Sequence, residues 1–159
     1  MDGLGERLAA AAIEPDGVGQ LRCAELANAF ASGAMTSDAI GLEQCRAAQG
    51  AEQAQSLAST NNWAHVDKAQ AHADFDAFYK ELAPLIDANE PASRTIQALM
   101  AQHYAIASRF YAPSGDAYVG TALFYADNVD MKAFHNTYHP RMVEFLGDAA
   151  YTYALQNLQ

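Results

Sequence analysis

From Trp63 onward, apolar side chains recur every three or four residues, the repeat that places them on one face of an α-helix. Val66, Phe75, Phe78, Tyr79, Leu82, Leu85 and Ile86 trace one such face. Their helix is long; Asn61 or Asn62 can cap it, and Pro84 should kink it or end it a turn early. Asn89-Glu90-Pro91 reads as the next helix start, leading through Ile96, Leu99, Met100, His103, Tyr104 and Ala107 to Phe110 and Tyr111. Pro113-Ser114-Gly115 is a break. Ser114 or Asp116 can begin a helix over 118–126, and Asp127-Asn128 ends it and can cap a short one over 130–137. His139-Pro140 opens the last helix, 141–155, with Met142, Phe145, Leu146, Ala149, Ala150 and Tyr153 on its core side. Upstream, 4–13 is a short Ala-rich helix stopped by Glu14-Pro15, and 20–30 is a second, closed by Ser32-Gly33. Thr36, Ser37 and Asp38 can cap a third carrying Ile40, Leu42 and Cys45. No strand-type alternation competes, so the fold class is all-α.

Aromatic residues divide the chain. Phe30 stands alone before Asn61, and the other fifteen follow it. Large rings dominate cores and ligand pockets, so residues 61–159 should hold the compact unit. Residues 1–60, rich in Ala, Gln and Gly, form a helical N-terminal segment with smaller side chains to hold it down. The formal charge of −10 repels phosphate backbones, and no block of Lys or Arg offsets it, so direct nucleic-acid contact is not expected. No apolar run approaches the ~18–20 residues of a membrane span. The start, Met-Asp-Gly-Leu-Gly-Glu, lacks the form of a secretory signal, which makes the cytoplasm the expected compartment. Cys23 and Cys45 fit no metal or redox spacing.

Catalytic chemistry finds little support. His135 and His139 have the four-residue spacing of paired metal ligands, but Pro140 puts a helix boundary between them and no His-Glu-x-x-His surrounds them. His65 and His72 lie on a polar stretch. Asp74 and Asp76 flank Phe75 and point to different sides of a helix. Ser114 has no nucleophile-elbow context. The expectation is a protein that is not an enzyme, with no metal and no cofactor.

The informative constellation runs from Phe110 to Phe145. It comprises Phe110-Tyr111-Ala112-Pro113, Tyr118-Val119-Gly120, Phe124-Tyr125-Ala126-Asp127, and a terminal His139-Pro140-Arg141-Met142-Val143-Glu144-Phe145-Leu146-Gly147-Asp148-Ala149. In this ordered combination the sequence resembles the TipAS domain, the effector module of certain MerR-type drug-sensing activators and of some free-standing antibiotic-sequestering proteins. The resemblance extends less strictly back to Trp63 and Phe78-Tyr79-Lys80-Glu81-Leu82, covering roughly residues 61 to 155. It implies a globin-like multi-helix domain with a deep aromatic-lined cleft that takes bulky heterocyclic or peptide-like antibiotics such as thiopeptides.

Some members of that family carry a cysteine just after the Pro of the inter-helix turn and capture ligand covalently. Ser114 stands there in this chain, with no base evident in the sequence to activate it, so binding should be reversible. The first 60 residues show neither a basic helix-turn-helix nor a long dimerising helix. The resemblance then implies an isolated effector module, linked elsewhere to a DNA-binding domain, or a stand-alone binder. The candidate ligand-binding residues are His103, Tyr104, Phe110, Tyr111, Ser114, Tyr118 and Tyr125, with Trp63 and Tyr79 from the preceding helix. Tyr111 and Tyr118 flank the break and should hang over the cleft. Phe134, Phe145 and Leu146 are assigned to the core, and Gly120 to a close helix crossing. The competing reading is a helical bundle that binds a protein partner.

Overall fold

The computed structural model describes residues 39–158. Six α-helices succeed one another: α1 (Ala39–Ser59), α2 (Lys68–Leu82), α3 (Arg94–Ala107), α4 (Gly115–Asp127), α5 (Val129–Asn136) and α6 (Met142–Asn157). A 3-10 helix, Ala83–Ala88, joins α2 to α3, and the described residues contain no strand. The helices expected over 4–13 and 20–30, the cap at Thr36, Ser37 and Asp38, and Cys23 lie outside the described residues.

Helix starts follow side-chain capping. Asp67, Ser93, Ser114 and Asn128 each accept a backbone N–H from the first turn of α2, α3, α4 and α5 respectively. Two of these caps correct the sequence reading. The helix expected at Trp63 begins at Lys68, because Asn61, Asn62 and Trp63 have φ of 54°, 58° and 62°. Such left-handed residues cannot continue a right-handed helix. The helix expected at Asn89-Glu90-Pro91 begins at Arg94, where the Ser93 hydroxyl supplies the cap. Pro84 acts as anticipated: α2 stops at Leu82, and the proline occupies the start of the 3-10 helix, where its missing N–H leaves no bond unmade.

The fold is organised around α4. Ala117, Tyr118, Val119, Gly120, Ala122 and Leu123 are all buried, so this helix is apolar almost all round and must be enclosed. α1 covers one side and α6 the other, and these are the two most extensive helix pairs. Gly120 makes the first possible. A Cβ at that position would lie 2.1 Å from the carbonyl oxygen of Cys45 and 2.6 Å from the Gln49 Cβ. Polar bonds pin α1 on either side of the crossing. Arg46 gives two hydrogen bonds to Asp127, at 2.8 and 3.2 Å, and Glu52 holds Ser114.

Phe145 and Leu146 are buried as expected, among Phe78, Leu82, Ile86, Ile96, Met100 and Met142. Phe134 is not. It is 53% exposed, because the short helix α5 buries His135 on its inner side and turns the neighbouring ring outward. Among the described residues, no helix is long and apolar enough to cross a membrane.

Candidate ligand-binding site

Helical spacing on four elements brings a set of rings together. Phe75, Phe78 and Tyr79 recur along α2, His103 and Tyr104 come from α3, Tyr118 and Tyr125 are two turns apart on α4, and His135 faces them from α5. His103 sits at the centre, with ring centroids of Phe78 at 5.0 Å, Phe75 at 5.3 Å, Tyr118 at 5.7 Å and Tyr79 at 6.2 Å. His135 stacks on Tyr125 at 4.2 Å and meets Tyr79 edge-on at 5.0 Å. Tyr104 lies edge-on to Tyr118 at 5.0 Å and is flanked by Tyr153 at 5.6 Å.

The polar tips of these rings are mostly paired. His135 Nδ1 lies 2.7 Å from the Met131 carbonyl, which fixes the proton there and leaves Nε2 to accept from the Tyr79 hydroxyl at 3.1 Å. Tyr104 donates to the Pro113 carbonyl at 2.6 Å, and Tyr138 donates to Asp76 at 2.6 Å. His103 Nδ1 pairs with the Tyr118 hydroxyl at 2.7 Å, while its Nε2 has no partner. Burial pushes the His103 imidazole down to about 3, helped by the nearby His135. His135 is also lowered, by burial, against the Met131 carbonyl that favours its charged form. Burial raises Tyr125 to about 12 and Tyr79 and Tyr118 well above the ordinary phenol range. At neutral pH the cluster is therefore uncharged: a dry aromatic interior with hydroxyl and imidazole tips.

Of the nine residues singled out from sequence, Tyr79, His103, Tyr104, Tyr118 and Tyr125 meet in this cluster. Trp63 and Phe110 form a second group, edge to face at 5.0 Å, with the indole N–H donating to Ser56 at 2.7 Å. Trp63 tolerates its left-handed backbone because its own N–H bonds Thr60 Oγ1 at 2.9 Å and Lys68 caps its carbonyl at 2.8 Å. Tyr111 is half-buried, and burial with the Glu52 charge raises its hydroxyl to about 12. Tyr118, expected to overhang a cleft, is only 1% exposed and belongs to the core. Tyr111, on the other side of the corner at Pro113-Ser114-Gly115, stays half-buried and adds to the upward shift of Tyr125.

Ser114 is the N-cap of α4. Its hydroxyl accepts from Ala117 N–H at 3.1 Å and donates to Glu52 at 2.5 Å, and its backbone N–H donates to the same carboxylate at 3.0 Å. A carboxylate therefore does sit on this hydroxyl, 62 residues away in sequence and hence not evident there. Glu52 at a helix N-terminus complements the exposed N–H groups. Ser114→Ala should lower stability by about 1 kcal/mol. Urea melts that show no loss would mean the cap contributes nothing.

Sequence reasoning missed Phe75, His135, Tyr138 and Tyr153 as members of the cluster. His135 was weighed only as a metal ligand, and among the described residues no cluster of metal-ligating side chains occurs. The sequence held no clear local signal for it, since Val129 and Phe134, apolar residues of the same helix, are the exposed ones. The rings expected to line a cleft are packed on one another. A groove of about 440 Å³ opens elsewhere, between the 3-10 helix and α6, lined by Ile86, Asp87, Glu90, Glu144, Phe145 and Asp148 among others.

The described residues thus form an all-helical body around an uncharged aromatic cluster. Residues 43–153 match the model of the TipAS antibiotic-recognition domain. The chain belongs to that family, whose members are ligand-binding sensing domains, and a globin-like arrangement of its helices is consistent with the membership. The match begins inside α1, earlier than the resemblance visible from Trp63 onward. α1 carries few large side chains, and its relation to the rest is one of close packing at Gly120 rather than of motif. No match was found among curated proteins or among solved structures.

Proposed function

We propose that this chain binds a bulky heterocyclic or peptide-like antibiotic and releases it unchanged. It serves as the drug-sensing effector module of a transcriptional regulator or as a drug-sequestering protein, working in the cytoplasm. The observation that carries the reading is the coincidence of the family match over 43–153 with a buried cluster of neutral rings bearing polar tips. Such a cluster offers large apolar area and a few hydrogen bonds, the combination that suits planar heterocycles. Tyr79, His103, Tyr104, Tyr118 and Tyr125 form its inner wall. Trp63, Phe110, Tyr111 and Ser114 lie at the outer edge, where a large ligand would extend. Because the rings pack against one another, binding has to part them, and the ligand must replace their mutual contacts with its own.

The chain's acidic surface argues against its touching DNA itself, so a sensing role requires a linked helix-turn-helix domain. No metal or cofactor enters this account. A thermal-shift screen of the full chain against large heterocyclic antibiotics tests it. A true ligand at 100–1,000 times its dissociation constant should add ~3–4 kcal/mol of apparent stability. If no antibiotic in a broad panel, thiopeptides included, shifts the melt, the reading fails. The second reading, a helical protein-interaction domain, then gains. It rests on Val129, Phe134 and Phe124, which are 82%, 53% and 42% exposed around the α4–α5 corner.

A further inference from the structure

His103 is 3% exposed, and one of its two ring nitrogens is unpaired. Which nitrogen carries the proton follows from its neighbour. The imidazole is neutral, since burial pushes it down to about 3, so it holds one proton. If that proton were on Nδ1, it would point at the Tyr118 oxygen 2.7 Å away. Nε2 would then be a buried acceptor without a donor, and the Tyr118 hydroxyl proton would lose its one partner in the cluster. If Tyr118 instead donates to Nδ1, a single group is left over, the Nε2–H. The second arrangement leaves fewer buried polar groups unmade and is the favoured one.

The imidazole that carries the leftover donor is packed among rings. Phe75 and Phe78 lie at 5.3 and 5.0 Å, tilted 54° and 52° to the imidazole. A ring face is a weak acceptor compared with a carbonyl or an azole nitrogen. Phe75 is half-buried whereas Phe78 is 3% exposed, so rotation of Phe75 is the smallest change that opens the cluster beside the imidazole.

We infer that the Nε2–H of His103 is the hydrogen-bond donor with which the aromatic cluster reads its ligand, selecting planar ligands that carry an acceptor, an azole nitrogen or amide carbonyl, beside an aromatic ring. The inference rests on the reading of the cluster as the ligand site. The ring displaces Phe75 and stacks in its place, and the acceptor pairs with the Nε2–H. A ligand of the same shape without the acceptor leaves the donor unpaired and binds more weakly.

Two probes isolate that bond. 4-Phenylthiazole has a ring nitrogen, and 3-phenylthiophene replaces it by C–H at nearly constant shape. Each is titrated into the full chain labelled with ¹⁵N-histidine and followed by nuclear magnetic resonance. The thiazole should move the His103 Nε2–H signal and the Phe75 and Phe78 ring signals, and bind about tenfold more tightly than the thiophene, the scale of one buried hydrogen bond. In His103→Phe the two probes should bind alike. If that variant does not fold, the wild-type pair still decides. Equal affinities in wild type, with the cluster signals moving, would overturn the inference and leave the binding site standing. A gap that persists in His103→Phe would also overturn it, since another group would be the donor. If neither probe moves a cluster signal, the inference and the site reading fall together.

Discussion

Gly120→Ala should destabilise the protein by roughly 3 kcal/mol or more, through one methyl group. On an exposed helix the same change would gain about 1 kcal/mol from helix propensity. Here the new Cβ would lie 2.1 Å from the Cys45 carbonyl oxygen, a backbone atom that cannot rotate away. α1 has to lift off α4 as a body. Lifting strains the Arg46–Asp127 pair and the Glu52–Ser114 bonds on either side of the crossing. It also uncovers Cys45, whose exposure in the intact protein is 0%. Two measurements check this. Urea melts report the stability, and thiol labelling in a Cys23→Ser background reports Cys45 alone. We expect a lower midpoint and a thiol that reacts under native conditions. A variant as stable as the parent with Cys45 still protected would show that α1 adjusts to the methyl without leaving its seat.

Asp148→Asn should have a comparable effect in the opposite direction, growing as pH rises from about 4 to about 8. Asp148 lies on α6 beside the 440 Å³ groove, and its Oδ1 is buried without a hydrogen-bond partner. Burial, and then the Glu144 charge one turn earlier, raise its carboxyl from 3.8 to about 8. The folded protein thus holds a proton that the unfolded chain releases. With the folded value above the unfolded one, the contribution is fully present below about pH 3.8 and is lost as pH rises through about 8.

Above pH 8 the parent carries a poorly solvated carboxylate that costs up to about 6 kcal/mol, and the partial exposure of the side chain reduces this to roughly 2–4 kcal/mol. Asparagine has no charge to bury, so the variant should gain that amount at pH 9 and only about a quarter of it at pH 5. His103 acts on the acid side. Its folded value of about 3 lies below the free value of 6.5, so stability falls as pH drops from about 6.5 toward 3. In the parent the two trends oppose each other in the overlapping window. Removing Asp148 should leave the acid loss steeper. Denaturant melts from pH 4 to 9 on both proteins measure it. A constant difference between them across that range would show that Asp148 is already ionised in the fold.

Much of this protein is legible along the chain because helices are local. Caps such as Ser114 and Asn128, the stop at Pro84, and the apolar faces of α3 and α6 all depend on residues within one turn. So does the aromatic order from Phe110 to Phe145 that carries the family resemblance. The errors arose where a residue's neighbours are distant. Asn61-Asn62-Trp63 reads as a helix cap, but Ser56, Thr60 and Lys68 hold it as a left-handed turn. Phe134 reads as core by its hydrophobicity, but α5 has only one inward side and His135 occupies it.

By itself, then, the sequence determined that the protein is helical, where most of its turns fall, and which family it joins, since periodicity, capping and motif order act at short range. Only the tertiary structure decided which rings meet. It put Tyr118 against His103 and Tyr79 against His135, and set Glu52 on Ser114 across 62 residues. It also left buried polar atoms without a hydrogen-bond partner, His103 Nε2 and Asp148 Oδ1 among them. The angles at which helices cross are set by packing between distant faces, and at the α1–α4 crossing that packing depends on the missing side chain of Gly120.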